Sequence, residues 1–208
     1  MIEIRIHGRG GQGSVTMAYL LAIAAFNEGY EAQAFPHFGV ERRGAPVAAY
    51  VRISKTPIRL REHVYHPEVI IIQDPTLISS TDLLQGAHLD TKIIVNTEKT
   101  IAELNLPKNF KILCIPAVKI ALEIIKKPII NTVMLGAFGG VFDLIKFPAI
   151  QNAISQNFSA ELAAINIKAA NSAYCFTQPD NKFCQLTKNI CNINRDDKNN
   201  LKILCQKK

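Results

Sequence analysis

Apolar residues along the chain alternate between two rhythms. Ile2-Glu3-Ile4-Arg5-Ile6 steps apolar and polar with the period of a strand. Residues 14–28 are apolar at helical spacing, and Gly29 follows where a residue tolerant of positive φ ends a helix. A second strand is expected over residues 31–35. In residues 47–53, Val47, Ala49, Val51 and Ile53 alternate with Ala48, Tyr50 and Arg52, which predicts a strand with one buried face. Residues 58–60 are expected to pair back on it as a hairpin. The unbroken aliphatic runs at 69–72, 93–95 and 112–115 carry the mark of parallel strands covered on both faces.

The helices after these strands are bounded by residue type. Pro116 suits a first helical turn, and Ile120/Ile124 and Ala121/Ile125 recur at helical spacing until Pro128 stops them. Asn131 is expected to cap the next helix, with Met134, Phe138, Val141, Phe142 and Ile145 as its buried stripe. Inside it Gly136, Gly139 and Gly140 each cost up to ~1 kcal/mol against Ala, which predicts close contact with another helix or subunit. A last helix over 160–176 is expected to bury Leu162, Ile165, Ala169, Ala173 and Phe176. The alternation of strand and helix implies the α/β class. The expected form is a three-layer Rossmann-like domain with a mostly parallel, mixed central sheet over residues 1–177. Residues 178–208 are rich in Asn and Lys and lose this periodicity; they read as a flexible extension, with Leu201, Ile203 and Leu204 as its candidate docking segment.

Composition narrows the function classes. With 208 residues, 48% of them apolar, the chain can close one sizeable core. Its longest helical apolar stretch, residues 17–26, falls short of the ~20 residues a membrane span needs, so no membrane insertion is expected. The start of the chain reads as a strand and not as a secretory signal. Five cysteines (Cys114, Cys175, Cys184, Cys191 and Cys205) include no CxxC pair. No disulfide framework, zinc site or iron–sulfur ligand set is therefore expected, and a reducing cytoplasm is the natural compartment. The net charge of +7 and pI of about 9.2 suit a phosphate-bearing ligand or an acidic electron carrier. With no recognisable nucleic-acid motif and no interleaving of aromatic with basic residues, nucleic acid is not an expected partner.

Two segments carry candidate chemistry. The first is GRGGQG (Gly8, Arg9, Gly10, Gly11, Gln12, Gly13), set after a strand and before a helix. Its backbone N–H groups and the following helix dipole favour an anion, and Arg9 offers a charge-assisted contact. The dinucleotide fingerprint is incomplete, because the second strand ends in Phe35-Pro36-His37-Phe38 where a ribose-binding acid would stand. The glycines serve equally well to bring strand and helix close. The second segment, FGVERRGAP at 38–46, sets Arg42 and Arg43 between two glycines just past a strand's carboxyl end. Their planar guanidiniums match phosphate; an internal pair with Glu41 is the competing reading. The five histidines show no metal spacing, and Asp74 stands at the carboxyl end of a buried strand, where ligand-site residues occur, though helix capping near Thr76 or Asp74 is the expected role. No Ser–His–Asp triad, Cys–His pair or facing catalytic carboxylates stand out.

Taken together, IRIHGRGGQGSVTMA at 4–18, FPHFGVERRGAPVAAYVRIS at 35–54, VIIIQDPTL at 69–77, NTVMLGAF at 131–138 and AINIKAANSAY at 164–174 resemble the gamma subunit, or gamma-type domain, of pyruvate and related 2-oxoacid:ferredoxin (flavodoxin) oxidoreductases. The resemblance implies one subunit of a multi-subunit oxidoreductase, inactive alone, in a complex that converts pyruvate and coenzyme A to acetyl-CoA and CO2. Complexes acting on 2-oxoglutarate, branched-chain oxoacids or indolepyruvate share the pattern. It further implies alpha, beta and delta-type partner subunits that hold thiamine diphosphate and iron–sulfur clusters, with ferredoxin or flavodoxin as electron acceptor. For this chain it implies a part in coenzyme A binding through Gly8, Arg9, Gly10, Gly11, Gln12, Gly13, Arg42 and Arg43. A purely architectural subunit is the alternative.

Overall fold

Among the described residues six strands, β1 (Ile2–Arg9), β2 (Glu31–His37), β3 (Pro46–Ser54), β4 (Val69–Ile72), β5 (Lys92–Asn96) and β6 (Lys111–Ile115), form one sheet in the order β2-β3-β1-β4-β5-β6. The computed structural model describes residues 1–37, 44–79, 82–107 and 109–178. β3 runs antiparallel to both its neighbours, whereas β1, β4, β5 and β6 pair in parallel. β3 alone is reversed, so the carboxyl ends of the other five strands share one rim. The aliphatic runs are parallel strands as predicted: Ile70, Ile71, Ile72, Ile93 and Val95 are fully buried between two covered faces.

The helices α1 (Ser14–Asn27), α2 (Ala117–Ile124), α3 (Asn131–Val141), α4 (Phe147–Asn157) and α5 (Ala160–Thr177) all contribute to one core with Ile4, Ile6, Val51, Ile71 and Ile94 of the sheet. Over β4, β5 and β6 the opposite face is closed by short 3-10 turns and connecting chain. Leu77, Leu83, Leu104 and Leu106 pack there on Ile70, Ile72, Ile93, Val95 and Ile112. The α/β class and the mostly parallel mixed sheet agree with the sequence. The third layer differs from a doubly wound fold: among the described residues it is irregular chain and 3-10 turns, not α-helix.

Local expectations fared unevenly. Residues 58–60 form no strand. β3 is not one-sided, because Tyr50 and Arg52 are buried along with Val51 and Ile53. Arg52 is only 1% exposed and donates to Glu3 at 2.6 Å and to the His63 carbonyl at 3.1 Å. The segment after β3 folds back over it, so a charge that alternation places in solvent lies beneath chain and is neutralised there. Asn131 is the first residue of α3 and not its cap; its Oδ1 accepts from the Thr132 amide at 2.9 Å. α3 is buried from Asn131 to Gly140 on every side, not along a stripe.

α5 corrects the sequence reading most clearly, because it exposes Leu162 and buries Ala163, Asn166, Ala169, Ala170, Ser172 and Ala173. The cause is its close approach to α3. A Cβ on Gly136 would collide with the Ala170 carbonyl, and one on Gly140 would collide with the Thr177 hydroxyl. Only a face of small residues fits so near a neighbouring backbone, and larger side chains are turned outward. The glycines of α3 therefore make the close helix contact the sequence predicted. Residues 179–208, including Leu201, Ile203 and Leu204, lie outside the described residues.

Candidate functional site

The site is built where β1 gives way to α1. Arg9 closes β1, its amide donates to Gln12 Oε1 at 2.7 Å, and the Gln12 amide returns to the Arg9 carbonyl at 3.0 Å. Gly13 then caps α1 at φ 79°, a conformation that L side chains rarely adopt. The first helical bond runs from Met17 to the Gly13 carbonyl at 2.9 Å. The amides before Met17 are thus the donors a helix leaves without partners inside itself, and among the described residues no side chain caps them. Among the described residues no atom lies within 4 Å of where a Gly11 Cβ would stand, so none of them closes that side of the turn.

Both readings of the glycines hold, at different positions. Gly8 serves packing: a Cβ there would strike the Ser14 hydroxyl, which donates to Gln73 Oε1 at 2.6 Å inside the sheet–helix seam. Gly13 faces the Asn131 side chain, whose Nδ2 would lie 2.9 Å from an added Cβ. Gly10 is engaged on both sides, donating to the Ala45 carbonyl at 2.9 Å and accepting from the Gly44 amide at 3.1 Å. The loop between β2 and β3 therefore sets its returning end on the glycine turn. Arg42 and Arg43 lie outside the described residues, but the chain that resumes at Gly44 stands on Gly10.

Arg9 turns inward as well as outward. Nη1 donates to the Gly44 carbonyl at 3.0 Å, Nη2 to the Thr76 hydroxyl at 2.7 Å, and Nε lies 3.2 Å from Asp74 Oδ2. That same oxygen accepts from Gln12 Nε2 at 2.8 Å, while Oδ1 accepts the Thr76 amide at 3.0 Å and its hydroxyl at 2.6 Å. Asp74 thus caps the 3-10 turn Pro75–Ser79, as its sequence position suggested, and also anchors the glycine turn. Burial pushes its carboxyl up, but the hydrogen bonds from Thr76 and Gln12 and the Arg9 charge outweigh that and hold it below the ordinary carboxylate value.

Beyond the strand ends lies a cavity of about 410 Å³, lined among others by Gln12, Asp74, Asn96, Thr97, Lys99 and Pro116. It occupies the crevice outside the carboxyl ends of β4, β5 and β6, where open α/β sheets accept ligands. Asn96 shapes it by donating to the Gln73 carbonyl at 2.9 Å and accepting from the Val118 amide at 3.3 Å. Gln73, Asn96 and Lys99 were not singled out by the sequence as site residues, and Asn131 was read there only as a helix cap. The carboxyl-terminal position of the first two on buried strands was the available signal; no local pattern brings Asn131 to the glycine turn.

His37 Nδ1 and His63 Nε2 are 3.2 Å apart, with His63 stacked on Tyr50 and His37 edge-on to it. His7 is largely buried, and desolvation with the nearby Arg5 charge lowers its pKa to about 3, leaving a neutral ring at physiological pH. Among the described residues no three His, Cys, Asp or Glu side chains are grouped to hold a metal, and no helix is long and apolar enough to cross a membrane. The rim offers amides, amides of side chains and a guanidinium, a set suited to binding and orienting an anion.

Comparison with known proteins gives a consistent set of likenesses. The family described as pyruvate ferredoxin/flavodoxin oxidoreductase matches residues 3–176. The pyruvate/ketoisovalerate oxidoreductases common subunit gamma of Pyrococcus abyssi is 48% identical over 181 residues, covering 86% of this chain and 98% of that one. Pyruvate synthase subunit PorC of Methanosarcina barkeri is 53% identical over 154 residues, or 74% of this chain and 85% of its own. Among solved structures, pyruvate oxidoreductase subunit PORC of Thermotoga maritima aligns with a TM-score of 0.73 at 36% identity, covering 83% of this chain and 94% of that one.

Proposed function

This chain belongs to the pyruvate ferredoxin/flavodoxin oxidoreductase family as a gamma-type subunit, and on that premise we propose that its rim binds the phosphates of coenzyme A for a pyruvate-type complex. The observation that carries the reading is the contact of Gly44 and Ala45 with Gly10, which seats the arginine-bearing loop on the glycine turn. Two motifs distant in sequence thereby serve one ligand. The amides of Gly11 and Gly13 and those at the start of α1 supply oriented donors, and Arg42 and Arg43 supply the charge. Gly8, Gly10 and Arg9 complete the turn that presents them.

In this reading alpha, beta and delta-type subunits complete the enzyme in the cytoplasm. Thiamine diphosphate on a partner subunit would supply the carbanion chemistry of decarboxylation, and iron–sulfur clusters on partners would supply the route for electrons to ferredoxin or flavodoxin. This chain holds the nucleotide end of coenzyme A so that the thiol end reaches the neighbouring subunit. Pyruvate is the 2-oxoacid favoured by the relatives' names; the residues that would select among oxoacids belong to other subunits.

Charge-assisted hydrogen bonds contribute ~1.5–3 kcal/mol each. Arg42→Ala in the assembled complex is therefore expected to raise the KM for coenzyme A roughly 10- to 150-fold. An unchanged KM favours the second reading, an architectural subunit. That reading draws on Gly8, whose missing side chain makes room for Ser14 and needs no ligand to explain it.

A further inference from the structure

We infer that Arg9 and Asp74 act as a positioning pair, tying the returning foot of the 38–43 loop to the chain beyond β4, so that Arg9 orients the anion site without itself holding the anion. The inference rests on the coenzyme A reading above and assigns roles within it. Arg9 joins three segments at once: its own turn, Gly44 at 3.0 Å and Thr76 at 2.7 Å. Asp74 is the matching acceptor, with Oδ2 shared by Arg9 at 3.2 Å and Gln12 at 2.8 Å and Oδ1 taken up by Thr76. Every guanidinium nitrogen of Arg9 has a contact within the chain, which leaves little of its fork for a phosphate.

The foot so held leaves little choice of path. Gly44 has φ 84°, its amide is bound to Gly10 and its carbonyl to Arg9. Three constraints thus hold Gly44, the first described residue after the arginine pair, in one conformation. A lysine at position 9 retains the charge beside Asp74, but its single ammonium cannot reproduce the planar fork that reaches Gly44 and Thr76 together. Charge and geometry are separable by that one substitution.

The test uses the assembled complex with Arg9→Lys, Asp74→Asn and the double variant. Each single variant is expected to raise the KM for coenzyme A roughly 10- to 100-fold, the scale of a small misplacement of a binding group, with kcat within a factor of about 2. The double variant is expected to be no worse than the poorer single one, as for residues acting as a unit. Trypsin cleavage after Arg42 and Arg43 supplies a readout that needs no coenzyme A. It should be faster in all three variants at an unchanged unfolding temperature. Wild-type KM in Arg9→Lys, additive losses in the double variant, or unchanged cleavage would each overturn the positioning role. Should Arg42→Ala leave the KM untouched, the coenzyme A reading fails, and the cleavage rates still decide whether the pair holds the loop.

Discussion

The two halves of the sheet solve the same problem with opposite chemistry. On the face away from the helices, β4, β5 and β6 present Ile70, Ile72, Ile93, Val95 and Ile112 to a leucine-rich cover. On the same face, β1, β3 and β2 present Glu3, Arg5, His7, Tyr50, Arg52, Gln33 and Phe35, as their register dictates. The first half gains from removing apolar area from water at ~25 cal/mol per Å². The second must satisfy each buried polar group or bear its desolvation. Arg5 Nε, His7 Nε2, Gln33 Oε1 and Arg52 Nη1 are buried there without a partner among the described residues. A polar interior can be retained for what it positions, and β1 and β3 are the strands that deliver the glycine turn and the foot of the arginine loop.

Substitutions can break this contrast in order of size. Arg52→Ala should have the largest effect, because it leaves Glu3 unpaired beside buried chain; ~3–5 kcal/mol is expected for breaking such a pair, read as a lower urea midpoint. Replacing Arg52 and Glu3 together by Met and Leu should cost much less than the single change. If the double variant is as unstable as Arg52→Ala, the polar half is held by packing and not by charge.

His7 gives the next effect, and its sign follows from its burial. Above pH 6.5 the ring is neutral in both folded and unfolded chains, so it adds no pH dependence. Between pH 6.5 and about 3 the unfolded chain takes up a proton that the folded chain refuses, so stability falls as the pH drops. The slope approaches ~1.4 kcal/mol per pH unit for one proton. His7→Gln should flatten that limb of a stability profile; an unchanged limb would assign it to other groups. In the apolar half, Ile72→Val should cost only ~0.5–1.5 kcal/mol and show no pH dependence in the same measurement.

The contrast also explains what could be read from the chain alone. Parallel strands covered by apolar cover announce themselves as aliphatic runs, so β4, β5 and β6 were legible. β3 was misread because the partners that neutralise Arg52 are Glu3, forty-nine positions away, and a backbone carbonyl in the loop that folds over it. No local rhythm encodes such a pairing. Leu162 was assigned to the core because large apolar residues are expected inside, yet α5 had to offer its small face to Gly136 and Gly140. The glycine turn was legible because its geometry demands glycine. The fastening of Arg9 to Gly44, Asp74 and Thr76 was not, since it joins segments separated by thirty-five and sixty-seven positions.

The contact between α3 and α5 has one more consequence. Thr132 meets Asn166 across thirty-four positions, and Gly136 with Ala170, then Gly140 with Tyr174, repeat that interval. Two helices running the same way and meshed at every fourth residue behave like a zip fastener, with a single tooth-to-tooth alignment. Sliding one past the other by a residue would drive side chains into backbone along the whole seam. Gains and losses of length in this family member are therefore tolerable in the connections around α4, but not within either toothed edge.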